Sequence, residues 1–213
     1  MIELIPAILT KDFVELGRQL ECLRGVAPLV QVDIVGTNIL QGHPAMPLWE
    51  EFDFEFDVML PDPFAAVQSC VDLGASRVVV HAAAERAREA VEFLQPMRGG
   101  DFPVEVGVAL RAHDTSEPLQ PFEGLYDYVQ VMGIDHIGRQ GEPPDPHHRE
   151  LQLIQQLHSQ FPDLIIQVDG AAAPHISELV QAGANRLIVG SAIMSADKPA
   201  AVYKALYTEA NAK

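Results

Sequence analysis

Two textures alternate along the chain. Short, mostly apolar runs are separated by longer stretches in which apolar residues return every three or four positions. The first is the pattern of strands buried on both faces and the second that of helices covering them, so the alternation predicts a parallel sheet with crossover helices. Strands are predicted at residues 3–9, 29–34, 54–60, 77–81, 104–110, 128–132, 164–169 and 186–189. Eight such strands close a (β/α)8 barrel, the TIM-barrel architecture. Helical periodicity covers residues 12–23, 63–73, 84–94, 146–160, 174–182 and 199–210, while the segments after the second and fifth strands read as short or irregular. Several of these helices open with Pro, which suits a first turn because its missing N–H would be unpaired there anyway.

Two near-repeats, Val71-Asp72-Leu73-Gly74-Ala75 and Val180-Gln181-Ala182-Gly183-Ala184, each read as a helix end, a glycine and the entry to the next strand. No linker, low-complexity tract or charge run divides the sequence, so residues 1–213 are expected to form one domain.

In such a barrel, chemistry belongs at the C-terminal ends of the strands. The polar residues there are Asp33 on strand two, Asp57 and Met59 on strand three, His81 on strand four and Asp169 on strand seven. A carboxylate closing an apolar strand is costly if it faces the core unpaired, but at an open mouth it can be wetted, paired or ligand-bound. Strands two and seven are expected on nearly opposite sides of the barrel, where Asp33 and Asp169 would flank a substrate and move a proton between its faces. The alternative for each acid is a structural cap or an ion pair. Strands seven and eight end in small residues, Gly170-Ala171 and Gly190-Ser191. Small residues let backbone N–H groups approach an anion, and these are the loops that commonly hold a phosphate in this fold.

The formal net charge of −16, from 14 Lys+Arg against 30 Asp+Glu, excludes nucleic acid and anionic membrane as main partners, since both need a basic surface. No apolar run is long enough for a membrane span and the N-terminus enters strand-like sequence at once, so a cytoplasmic protein is expected. Cys22 and Cys70 both fall in helical patterns and are read as buried thiols.

Pro6-Ala7-Ile8-Leu9-Thr10-Lys11-Asp12-Phe13 resembles the Pro-Ser-Ile-Leu-Ser-Ala-Asp-Phe opening of ribulose-phosphate 3-epimerases. Gln31-Val32-Asp33-Ile34 is similar to their His-Val-Asp-Val, and Asp57-Val58-Met59-Leu60 to their Asp-Val-His-Leu. Gly107-Val108-Ala109-Leu110, Val131-Met132 with Gly138 and Gln140, Val168-Asp169-Gly170-Ala171 and Gly190-Ser191-Ala192-Ile193 continue the match in order. The resemblance implies a ribulose-phosphate-binding barrel that epimerises carbon 3 of a pentulose 5-phosphate such as D-ribulose 5-phosphate. It puts the two exchanging acid–base roles on Asp33 and Asp169, and substrate or phosphate contacts on Ala7, Met132, Gly138, Gln140, Gly170, Ala171, Gly190 and Ser191. It further implies a divalent metal (Zn, Mn or Fe), no nucleotide cofactor, a sugar phosphate as the small-molecule partner, and a homo-oligomer.

The sequence departs from the family at the metal. Of four ligands, Asp33 and Asp169 remain, while Gln31 and Met59 stand where the family has histidines. Gln is a weak oxygen donor and a thioether suits soft ions. Ala7 replaces the opening serine, Val35 and Gly36 replace a Met and an Asp, and His136 and Arg139 enter a loop that is usually glycine-rich. His81 and His136 are candidate auxiliary ligands, or, with Arg139, electrophiles in place of the metal. Two other readings stay open. One is a lyase or decarboxylase of the same superfamily, although the Asp-x-Lys-x-x-Asp of that branch is here Asp57-Val58-Met59-Leu60-Pro61-Asp62, without the Lys. The other is a metal-free, non-catalytic sugar-phosphate binder.

Overall fold

Strands form where the apolar runs are densest: β1 (Glu3–Leu9), β2 (Leu29–Ile34), β3 (Asp53–Val58), β4 (Ala75–His81), β5 (Glu105–Leu110), β6 (Tyr128–Met132), β7 (Ile165–Asp169) and β8 (Arg186–Val189). They pair in parallel and in chain order, and β8 returns to β1 to close the barrel. This computed structural model describes every residue except Pro44, Gln140, Pro146 and Lys213. The helices are α1 (Phe13–Leu23), α2 (Phe64–Asp72), α3 (Ala87–Leu94), α4 (Arg149–Gln160), α5 (Ile176–Ala182), α6 (Ser191–Met194) and α7 (Pro199–Ala210). As expected, β2 and β5 are followed by short 3-10 turns, Thr37–Leu40 and Glu117–Phe122, in place of full helices. Among the described residues no helix is long and apolar enough to cross a membrane.

Where element boundaries differ from expectation the reason is local. β3 ends at Val58, before the predicted residue 60, because Met59 N–H makes a last bond to the Ile34 carbonyl and Pro61 then has no N–H to offer. The predicted start of α4 at residue 146 lies outside the described residues. The helix runs from Arg149, where the buried Asp145 carboxylate accepts from the backbone N–H of His147 and Arg149 and from the Arg149 guanidinium. That carboxylate caps the helix start. Cys70 is buried as expected, but Cys22 is exposed on α1, whose inward face is taken by Leu16, Leu20 and Leu23.

Because side chains alternate along a strand, the barrel divides each strand into two sets. One set, including Val30, Val32, Phe56, Val78, Val108, Val131 and Val168, packs against the helices in the main apolar core. The other set fills the barrel and is largely polar. At its N-terminal end, Arg77 makes a two-pronged pair with Glu3 (3.1 and 3.2 Å) and Arg186 bridges Glu3 (3.2 Å) and Glu105 (2.8 Å). These two acids and two guanidiniums close the bottom with balanced charge. Above them Glu55 accepts hydrogen bonds from Tyr128 Oη (2.9 Å) and Gln167 Nε2 (2.7 Å). Gln167 also donates to Gln130 Oε1 (2.8 Å), whose amide nitrogen reaches Asp57 (2.6 Å) at the mouth. A hydrogen-bonded column therefore runs from the bottom ion pairs to the C-terminal end.

Two features of this interior are directly testable. Tyr128 enters the barrel opposite Gly107, and a Cβ at residue 107 would lie 2.6 Å from two atoms of its ring. Gly107→Ala should therefore overpack the barrel and destabilise the protein by about 1–3 kcal/mol, measured by denaturant unfolding. Gly107→Ala combined with Tyr128→Phe should stay destabilised, because the ring atoms remain. Burial pushes the Glu55 carboxyl from its ordinary value of 4.5 up to about 7, against the pull of Arg77 and its hydrogen-bond donors. A raised acid stabilises the fold fully below its unfolded value and loses that contribution as pH rises through the folded one. Glu55→Gln, an isostere of the protonated form, should flatten the fall in stability between pH 4.5 and about 7. By linkage the difference from the parent protein approaches roughly 3 kcal/mol at pH 8 and vanishes at pH 4.

Candidate active site

Three carboxylates meet at the barrel mouth. Asp33 ends the inward-facing set of β2, Asp57 that of β3 and Asp169 that of β7, and one oxygen from each lies within 4.8 Å of the others. β2 and β7 are separated around the ring by β1 and β8. The two acids come from nearly opposite walls, as expected, and their oxygens approach each other at the mouth. All three are buried, Asp57 completely.

The surroundings treat the three acids unequally. Asp57 is held on both oxygens, by His81 Nε2 at 2.9 Å and Gln130 Nε2 at 2.6 Å. Asp33 accepts one bond, from Gln31 Nε2 at 2.9 Å. Burial, with the neighbouring Asp169 and Asp57 charges, pushes the Asp33 carboxyl well above the usual range. Burial and the Asp57 charge raise Asp169 to about 7, although His81 pulls the other way. Burial opposes charge on the His81 ring, but the Asp57 carboxylate, with Asp169 behind it, raises its pKa overall. Burial and mutual charge thus favour the protonated forms of Asp33 and Asp169, an arrangement suited to giving and taking protons.

Asp33 and Asp169, but not Asp57, line the floor of a cavity of about 340 Å³. Its far wall is formed by the ends of β7 and β8. Gly170 (φ +93°) and Ala171 (φ +50°) turn through the left-handed region, and a Cβ on Gly170 would meet Ile134 Cγ1 at 2.8 Å. Only glycine fits at residue 170 without strain. After β8, Gly190 leads into Ser191 at the start of α6, whose first N–H groups have no acceptor within the helix. α6 is too short to show a helical period in sequence. The only cationic side chain lining the cavity among the described residues is Arg139, largely exposed and 3.8 Å from Glu142. An anion here would meet mainly backbone donors.

Of the residues singled out in sequence, Ala7, Asp33, Met132, Gly138, Asp169, Gly170, Ala171, Gly190 and Ser191 come together around this cavity. Gln140 lies outside the described residues. Met59 lines the cavity, and Gln31 sits fully buried beneath Asp33. His81 instead faces a neighbouring recess with Arg111 and is tied to Asp57, while His136 is exposed beside Glu142 at 3.4 Å. Neither histidine joins the acid cluster. Asp57 was visible in sequence only as a polar strand end. Its partners, His81 and Gln130, are 24 and 73 residues away, and no local spacing reveals them.

The donors present fit a divalent cation. Asp33, Asp57 and Asp169 each offer a carboxylate oxygen, the three within 4.8 Å of one another. Such a set suits an oxygen-preferring ion.

Comparison with known proteins agrees with this geometry. Residues 3–194 match the model of the ribulose-phosphate 3 epimerase family. The chain is 26% identical over 208 residues to the ribulose-phosphate 3-epimerase of Bacillus subtilis, covering 91% of this chain and 92% of that protein. It is 24% identical over 204 residues to the putative epimerase LsrE of Salmonella typhimurium, covering 90% and 80%. In fold it is similar to 3-hexulose-6-phosphate synthase, with a TM-score of 0.71 at 19% identity, covering 96% of this chain and 98% of that one. It is similarly close to KGPDC from Streptococcus mutans, with a TM-score of 0.70 at 18% identity over 98% and 97%. With a barrel closed in chain order and the acids and small-residue loops at its mouth, the chain belongs to the ribulose-phosphate 3 epimerase family.

Proposed function

We propose that this protein is a sugar-phosphate epimerase that inverts carbon 3 of a ketose 5-phosphate such as D-ribulose 5-phosphate by two-base proton transfer. The observation that carries this reading is the approach of Asp33 and Asp169 to within 4.8 Å at the floor of a cavity whose far wall is Gly170-Ala171 and Gly190-Ser191. A phosphate gripped by the backbone at those loops leaves the sugar carbons directed toward the acids.

The carbon 3 proton is acidified by the adjacent carbon 2 carbonyl. One Asp carboxylate removes it, the other carboxyl returns a proton to the opposite face, and the roles exchange in the reverse direction. A divalent cation held by Asp33 and Asp169 would supply positive charge where the substrate oxygen becomes negative. Gln31 orients Asp33 through its amide N–H, and His81 and Gln130 fix Asp57 beside the other two acids. Met132 and Ile134 give the cavity an apolar side that limits water around the reacting carbons. We assign the protein a cytoplasmic location and a homo-oligomeric state on family grounds alone.

A second reading, a sugar-phosphate binder without turnover, is favoured by Gln31 and Met59 standing where the family has imidazoles. An epimerase assay with D-ribulose 5-phosphate, on metal-stripped protein and on protein given Mg2+, Mn2+ or Zn2+, separates the two. Turnover is expected, and Asp33→Asn and Asp169→Asn should each lower it by roughly 10²–10⁴-fold. No turnover under any metal, with the sugar phosphate still raising the unfolding temperature, would establish the binder instead.

A further inference from the structure

A second recess, of about 180 Å³, lies beside the cavity, and Met59 lines both. Ala84, Ala109 and Ile137 give this recess apolar surface, while His81 and Arg111 bring polar groups to it. His81 is only 8% exposed and its Nε2 is committed to Asp57. Among the described residues no hydrogen bond reaches its Nδ1, and that atom is not sealed from solvent. Because His81 lines the recess and not the cavity, Nδ1 opens on the recess. Arg111 gives its backbone N–H, Nε and Nη2 to Asp114, which leaves Nη1 unbonded among the described residues. β4, which ends in His81, stands opposite β8 in the ring of eight. A ligand that crosses the mouth from the small-residue loop after β8 therefore ends at the recess.

We propose that this recess is the subsite for the carbon 1 hydroxymethyl group of the ketose, with His81 Nδ1 and Arg111 Nη1 bonding its hydroxyl. The proposal rests on the epimerase reading for the direction of the sugar chain, but it concerns which ligands bind and is tested without turnover. With the phosphate held after β7 and β8 and carbon 3 over Asp33 and Asp169, carbon 1 is the end that points to β4. A neutral His81 that gives its Nε2–H to Asp57 accepts at Nδ1, and an imidazolium donates there. A hydroxyl suits either state and accepts from a guanidinium as well. An anion suits only the imidazolium and would stand beside the Asp114 carboxylate, which is paired with Arg111 at 2.9 Å. Met59 is unbranched and flexible, so one ligand can reach past it from cavity to recess. His81 and Arg111 are then specificity residues: a ketose without the hydroxyl covers their polar atoms and pairs with neither.

The probes are D-xylulose 5-phosphate and 1-deoxy-D-xylulose 5-phosphate, which differ only in the carbon 1 hydroxyl, titrated into the protein by calorimetry. The parent should bind the hydroxylated sugar about tenfold or more tightly. His81→Gln keeps an amide N–H for Asp57 and has nothing at the Nδ1 position, while Arg111→Met removes the guanidinium from a half-exposed side chain. Each should shrink the preference to about threefold or less. A purely structural role for either residue would weaken both sugars alike and leave their ratio unchanged. Circular dichroism on each variant checks that it is folded. Equal affinity for the two sugars in the parent overturns the proposal, as does binding of neither, or the full preference surviving in a folded His81→Gln. D-ribulose 1,5-bisphosphate binding more tightly than D-ribulose 5-phosphate, with the gain lost in Arg111→Met, would overturn it too, by making the recess an anion site. A preference for the hydroxylated sugar in a protein that fails the epimerase assay leaves the subsite standing and removes only the functional reading. Epimerase turnover without that preference does the reverse.

Discussion

Three buried carboxylates at one point repel each other and are each deprived of water, and most of what is unusual about this barrel follows from holding them there. Oxygens of Asp33, Asp57 and Asp169 lie within 4.8 Å of one another, and among the described residues no Lys or Arg is bonded to any of them, only the His81 imidazole to Asp57. Two of the three respond by binding protons more tightly, Asp33 well above the ordinary range and Asp169 up to about 7. Such a cluster is a cost to the fold, offset by packing elsewhere. Groups kept in that state are expected where a ligand relieves them.

The rest of the interior bears the load. Below the mouth the barrel is filled by a polar column, from Asp57 through Gln130 and Gln167 to Glu55 and Tyr128, ending in the Glu3, Arg77, Glu105 and Arg186 pairs. Charge is balanced at the bottom and unbalanced at the top. The column fixes Asp57 and through it His81, leaving Asp33 and Asp169 the more free to exchange protons or take an ion. The apolar core that stabilises the domain lies outside the barrel, between strands and helices, so the interior can be given over to chemistry.

The alternation of buried strands and amphipathic helices was legible because each strand is covered on both faces, and the closed order of eight confirms it. Asp33 and Asp169 were legible because a lone acid ending an apolar run is conspicuous. Asp57 stood out equally, but what makes it matter, its contacts with His81 and Gln130, joins β3 to β4 and β6 and leaves no local trace. The interior glutamines were hidden for a similar reason: Gln130 and Gln167 sit in otherwise apolar strands, and the acids they bond, Asp57 and Glu55, lie on β3. Cys22 misled because helical periodicity there is set by Leu16, Leu20 and Leu23, and the thiol falls on the outer face.

The central claim is that the acid cluster is kept for a ligand and not for the fold. Thermal unfolding of Asp33→Asn beside the parent protein, both stripped of metal and held at pH 8, tests it most directly. Asn preserves the acceptor for Gln31 Nε2 and removes one charge from the cluster. The expected result is an unfolding temperature higher than that of the parent by roughly 2 °C or more, the shift that about 1 kcal/mol produces in a domain of this size. A fall of similar size would contradict the claim, because it would make the Asp33 charge a contributor to stability.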